Sequence, residues 1–338
     1  MKKPFIFVLL LSLSIVIVPV ISSLVFYKTS NTALTKKSIS RINIKDTIYE
    51  KVDKKSPTIK VYKANEDKVE KMDIEEYLYG VVSSEMPSSF DEEALKAQAI
   101  AARTYVIYKM ENNIISGHKN ANVCTNSAHC QAYTSYEDLK KNKGNEWIKS
   151  DYTKVKKVVD DTKGQILSYD DKAILPLYFS TSSGKTENSK DVFSTQYPYL
   201  VSVDSPYDNS SPKYLTTYSI SKIKFIEYIK KLYPQLSVPL GNLEKEVNII
   251  NRTEGGCVKM IKIGNIKMSG IDMRNIFKLN SANFSITYND NDMNFIVKGY
   301  GHGVGMSQWG ANGMAKKGYK YYDILFYYFK NTDIKDMY

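Results

Sequence analysis

Cysteine, histidine and tryptophan are scarce in this 338-residue chain, at three, three and two copies. Three cysteines allow at most one internal disulfide, and Cys257 stands far from the other two and is expected to be buried. No H-E-x-x-H occurs, which argues against a helix-borne zinc peptidase. The glycine-rich stretch from Gly299 onward contains no G-x-G-x-x-G, and Gly184-Lys185-Thr186 lacks a phosphate loop's first glycine, its place being taken by Phe179. There is no internal repeat and no linker in the last three quarters of the chain. A solenoid and a string of separate modules are thereby set aside.

What is present is a globular composition, 43% apolar and 25% charged, with 27 tyrosines. Tyrosines suit a half-wet core and, equally, stacking against sugars. The formal charge of +11 admits nucleic acid, anionic lipid or an acidic polymer as partner. Location narrows this. Met1-Lys2-Lys3 precedes an uncharged apolar run from Phe5 to Tyr27, long enough to cross a bilayer. The leading lysines put the N-terminus in the cytoplasm, and the run is longer than a cleaved signal's and has no alanine. Residues 1–27 are therefore expected to be an uncleaved anchor and 28–56 a basic, polar stalk. The remainder lies outside the cell membrane, where a polyanionic wall, and no nucleic acid, is the expected partner.

From 57 to 338 the pattern predicts a single mixed α+β domain. Thr58–Tyr62 reads as a strand, and Ile74, Tyr77, Leu78, Val81 and Val82 fall at helical spacing within 73–84. Pro87 stops that helix. Ser89-Phe90-Asp91-Glu92 reads as a capping box opening an alanine-rich helix to about Asn112. A helix over 152–162 and a hairpin of 165–169 with 173–180, turning at Asp170-Asp171, follow. Further on come a helix over 221–232, a strand over 259–263 and a helix over 321–329.

Glu85 is the first candidate for chemistry. It closes its helix among Val81, Val82, Met86 and Pro87. The negative helix end and apolar neighbours both penalise its ionised form and favour a general acid. The segment Gly299–Ala311 has glycine at every second position at first, which strips one face of a strand so that another backbone or a ligand can lie against it. Ser307 is placed to cap a short helix whose free N–H groups, near His302 and Gln308, can grip a sugar carboxylate or acetamido group. The polar loop Thr181–Asp191 is a possible sugar-binding element or a solvated loop.

These stretches together resemble the stage II sporulation protein D family, lytic transglycosylases of spore-forming bacteria. The resemblance runs from about Asp73 to the C-terminus. It rests on Glu85-Met86-Pro87, on the segment from Glu93 to Tyr105, on the Ser182–Ser189 loop and on Gly299–Ala311. It implies that Glu85 is the catalytic acid and base, and that Arg103, Tyr178, Ser182, Lys185, His302 and Gln308 belong to the cleft. It further implies peptidoglycan glycan strands as substrate, a role in engulfment during sporulation, and a membrane complex with an amidase that strips stem peptides first. A single carboxyl suffices for such chemistry, because the sugar's own C6 hydroxyl replaces water. The rival reading is a non-catalytic wall-binding protein that activates an amidase.

His118, Cys124, His129 and Cys130 fall within thirteen residues. A Cys₂His₂ set suits a structural zinc that pins its loop, and a Cys124–Cys130 disulfide is the alternative outside the cytoplasm. The resemblance does not supply this metal, and none is needed for the chemistry.

Overall fold

The structure, a computed structural model, describes residues 55–114 and 119–338. The expected anchor, nearly all of the stalk and His118 lie outside the described residues. No helix among the described residues is long and apolar enough to cross a membrane. The architecture is mixed α+β with five small sheets among the described residues.

Buried apolar side chains form two separate cores. The first is built on the alanine-rich helix, Glu92–Glu111, which packs against the Ile74–Glu85, Thr153–Asp161, Gln308–Lys316 and Tyr321–Tyr328 helices. Ala94, Ala97, Ala99, Ala101 and Ala102 are all fully buried. Their short side chains allow neighbours on every face, as in a helix apolar all round. Its N-cap is Asp91, which accepts from the Glu93 N–H at 3.0 Å; the capping box expected at Ser89 is not formed, because the helix starts two residues later. Strand β1 (Thr58–Lys63) pairs with β2 (Lys68–Asp73) and, in parallel, with β3 (Val123–Cys124).

The hairpin is shorter than its pattern suggests. Strand β4 (Gln165–Tyr169) turns through Asp170 and Asp171, both at positive φ, into a two-residue β5 (Lys172–Ala173). Strand β6 (Tyr178–Phe179) leaves that sheet and pairs in parallel with Met306–Ser307. The second core lies between residues 220 and 297. There the sheet Phe284–Tyr288, Asp292–Lys298, Leu215–Ser221 carries Phe284 and Phe295, and the latter stacks on Phe277 of the Gly270–Phe277 helix at 5.5 Å. No linker marks this second core, because the chain enters and leaves it through strand ends.

Arg103 was expected at the cleft; its helix instead turns it into the first core, fully buried. Its Nε and Nη2 donate to Glu75 Oε1 and Oε2 at 2.9 and 2.6 Å, and Nη1 donates to the Gln165 carbonyl at 3.1 Å. Glu75 Oε1 also accepts from the Tyr338 hydroxyl and the Gly164 N–H, so the pair ties the C-terminus to the first helix. Breaking a buried pair leaves a charge without compensation. Arg103→Met is expected to cost about 3–5 kcal/mol in urea unfolding. The double variant Arg103→Met/Glu75→Met should lose clearly less, and equal losses would show the pair to be energetically unimportant.

Candidate active site

The Ile74–Glu85 helix is capped by Asp73, which accepts from the Glu75 N–H at 2.8 Å. At its other end Met86 leaves the helical region at φ −124°, ψ 143°, as the residue before a proline should. The helix therefore ends on Glu85. Gly80, one turn earlier, has no side chain because Tyr133 and the Thr134 carbonyl occupy that space. That close approach seats the following loop on the helix: Ser84 Oγ donates to the Gly80 carbonyl at 2.7 Å and lies 2.9 Å from Thr134 Oγ1, and Tyr133 stacks on Tyr77.

The seated loop brings the Ala132 N–H to Glu85 Oε1 at 2.7 Å. From the other side the Gln308 amide donates to Glu85 Oε2 at 3.2 Å and to Gln98 Oε1 at 3.4 Å. The Tyr178 hydroxyl, beside the carboxyl, donates to Gln131 Oε1 at 2.8 Å. Burial raises the pKa of Glu85 above the usual glutamate range, and the Ala132, Gln308 and Tyr178 hydrogen bonds oppose it without prevailing. No other carboxylate is among the groups that shift it. Burial and the charge of Glu85 push the Tyr178 phenol well above its ordinary range, so it remains a neutral donor. Ser84 and Ala132 line an open groove of about 410 Å³ with Thr125, Tyr133 and Thr134, a wall rich in hydroxyls and suited to sugar.

The other expected residues are placed as follows. Gln308 and Tyr178 meet Glu85, as just described. Ser182 is buried: its N–H donates to Asp208 Oδ1 at 2.7 Å and its hydroxyl accepts from the Gly184 N–H. Lys185 is half-exposed and paired with Glu254 at 2.9 Å. His302 packs on Phe179 and Phe193, and its Nδ1 accepts from the Val304 N–H at 3.1 Å. Tyr178 and Phe179 are neighbours on one strand and face opposite ways, so His302 sits across that strand from Glu85.

The alternating glycines do not form a strand. Gly299, Gly301, Gly303 and Gly305 all have positive φ. A side chain at Gly301 would meet Phe179, and one at Gly305 the Leu177 carbonyl, so the stripped face receives the protein's own 177–187 segment. Ser307 does cap the Gln308–Lys316 helix, accepting from the Gly310 N–H at 3.2 Å. The anion at that helix end is internal. The buried Asp208 carboxylate accepts from Ser182 N, Ser205 Oγ and Ser307 Oγ, with burial lifting its pKa to about 6. Sequence reasoning missed Asp208, Gln98 and Ala132. A preference for acids at helix N-termini gives a hint of the first, but only the fold shows which acid arrives.

Cys124, His129 and Cys130 form a cluster able to hold a metal, their ligand atoms all within 4.8 Å of one another. His129 Nδ1 lies 3.6 Å from Cys124 Sγ and 3.9 Å from Cys130 Sγ, and no disulfide joins the two cysteines. The Lys109 ammonium donates to Cys130 Sγ at 3.4 Å. Cys130 is followed at once by Gln131 and Ala132, the two loop residues at the Glu85 site.

Residues 62–169 match the stage II sporulation protein family model. Stage II sporulation protein D of Bacillus amyloliquefaciens is 37% identical over 339 aligned positions, covering 99% of this chain and 96% of that protein. Its counterpart in Bacillus subtilis is 39% identical, covering 84% and 80%. The amidase enhancer of Bacillus subtilis is 26% identical over 76% of this chain and 40% of its own length. At these identities and coverages, the chain belongs to the stage II sporulation protein D family and is more distantly related to the amidase enhancer.

Proposed function

We propose that the chain is a membrane-anchored lytic transglycosylase that cuts the bond between N-acetylmuramic acid and N-acetylglucosamine in peptidoglycan glycan strands. The observation that carries this reading is the Glu85 carboxyl, partly buried at a helix end, raised in pKa and without a second carboxylate among the groups acting on it. Hydrolytic glycosidases use two acids. One is enough when the muramic C6 hydroxyl is the nucleophile.

Protonated Glu85 gives its proton to the glycosidic oxygen as the bond from C1 to that oxygen breaks. The resulting carboxylate has the Ala132 N–H and the Gln308 amide already directed at it. It then takes the proton of the C6 hydroxyl while that oxygen bonds to C1. The sugar ends as a 1,6-anhydro product, Glu85 is again protonated, and no water is consumed. The proposal includes engulfment during sporulation as the setting, with the domain on the mother-cell side of the engulfing membrane and an amidase and a membrane protein as partners. A second reading, activation of an amidase without cutting, is favoured by the 26% identity with the amidase enhancer.

For the Cys124, His129 and Cys130 cluster we propose a structural zinc, with His118 as the fourth ligand. Two thiols with an imidazole nitrogen near both, all three ligand atoms within 4.8 Å of one another, fit tetrahedral zinc better than a disulfide. Closing all four positions leaves the metal no catalytic vacancy. Bound there, zinc would hold the loop that presents the Ala132 N–H.

Digestion of denuded glycan strands separates the readings: anhydro-muramic termini are expected from the wild type, and none at all would favour the activator. Glu85→Ala should keep the wild-type melting temperature and lose about 10²–10⁴-fold in cleavage rate. Because the acid must be protonated, kcat/KM should fall as pH rises through the raised pKa of Glu85. Gln308→Leu removes a hydrogen bond that lowers this pKa, so its alkaline limb should move to higher pH; an unmoved limb would separate Gln308 from the titrating group. Metal analysis should find about one zinc per chain. Cys124→Ser should lose both metal and cleavage, whereas full activity without metal would end the loop-pinning role.

A further inference from the structure

A second cavity, of about 180 Å³, lies on the far side of β6 from Glu85, where the Thr181–Asp191 loop meets the second core. Val192, Phe193, Val258, Ile271 and Ala282 give it apolar walls. Arg274, from the Gly270–Phe277 helix, lines it, and among the described residues its half-buried guanidinium has no ion pair and no side-chain hydrogen bond. An arginine in such a place without a carboxylate is costly, because five donors are withdrawn from water.

The other groups facing Arg274 do not neutralise it. Asp191 lines the same cavity, but its carboxylate is paired with Lys259 at 3.1 Å. Burial, then nearby Glu187, raises the Cys257 thiol well above its ordinary range, so it is neutral. Burial, then the charge of Arg274, lowers His302 to about 4, and its Nδ1 already accepts from Val304, so the imidazole contributes shape and no charge. Tyr300 is half-exposed and stands beside Arg274 as a phenol. The helix N-terminus capped by Ser269 also lines the cavity, and its Asp272 is engaged in the capping box. The sum is one uncompensated positive charge at the end of a small apolar pocket, reinforced by a helix dipole.

We propose that this cavity is a carboxylate subsite in which Arg274 binds an acid carried on a short methyl-bearing arm of the wall polymer. The proposal rests on peptidoglycan being the substrate. Both the lactyl ether of muramic acid and the terminal D-alanine of a stem peptide have this chemistry: a carboxylate for the guanidinium and a methyl group for the apolar walls. N-acetylglucosamine has an acetamido methyl but no carboxylate for the guanidinium. Such a subsite would fix the register of the strand, placing muramic acid by its acid while Glu85 acts on the other side of β6.

The test is binding, so it reads independently of cleavage. Full-length Glu85→Gln protein in detergent is titrated calorimetrically with N-acetylmuramic acid, N-acetyl-D-alanyl-D-alanine and N-acetylglucosamine. At least one acid should bind about tenfold or more tightly than N-acetylglucosamine, and the one that binds identifies the arm. Arg274→Gln should abolish that preference, and Arg274→Lys should restore part of it. Equal affinity for the neutral sugar, failure of both acids to bind, or an undiminished preference in Arg274→Gln would each overturn the proposal. Should Arg274→Gln unfold, the acid-versus-neutral comparison in the protein that retains Arg274 still decides. No preference in the protein that retains Arg274, with cleavage by the wild type, removes this subsite alone; no cleavage by the wild type, with the preference present, removes the transglycosylase reading alone.

Discussion

Withholding the Glu85 carboxyl from water is the constraint on which the site depends. The carboxyl stands at the negative end of its helix, where ionisation is disfavoured, and burial adds to that. The Ala132, Gln308 and Tyr178 hydrogen bonds pull the other way, and the Ala132 N–H and the Gln308 amide donate directly to the carboxyl oxygens. That balance is what the proposed acid and base role requires: burial favours the protonated form, and the donors support the ionised one.

Much of the fold holds those two donors in place. Gly80 and the stacked Tyr77 and Tyr133 seat the loop that carries Ala132, and the Cys124, His129 and Cys130 cluster lies at its other end. Gln308 opens a helix whose cap, Ser307, is bound to Asp208, and Asp208 also accepts from the 181–189 loop. The same loop meets the second core: Glu187 accepts from Thr253 and from the Cys257 N–H, Asn283 donates to Ser183, and Lys185 pairs with Glu254. One buried carboxylate thus joins the helix end that carries Gln308 to the segment that contacts the second core. The glycines at 301 and 305 are what let these backbones come so close.

Local rules made Glu85 legible, since Met-Pro ends the helix and apolar neighbours announce burial. Gln308 was legible through the Ser307 cap. Ala132 was not, because it acts through a backbone N–H from 47 residues away, and a backbone donor leaves no trace in residue type. Arg103 was assigned to the cleft by the resemblance alone, whereas its partner Glu75 lies in the preceding helix and is identified only by packing. The glycine pattern had the right density and the wrong geometry. Period-two spacing suggests a strand, but positive φ at all four positions makes a looped ribbon whose bare face the chain itself covers. The second core went unseen because its residues are as apolar as those of the first and no change in composition marks its borders.

The account stands on water being no reactant at the scissile bond. Digesting glycan strands in H₂¹⁸O and analysing the new muramic termini by mass spectrometry asks this directly. The predicted result is termini free of the heavy isotope and lighter by one water than a reducing sugar. Incorporation of ¹⁸O at C1 of every new terminus would mean hydrolysis, and with it a second carboxyl, which is not among the described groups acting on Glu85.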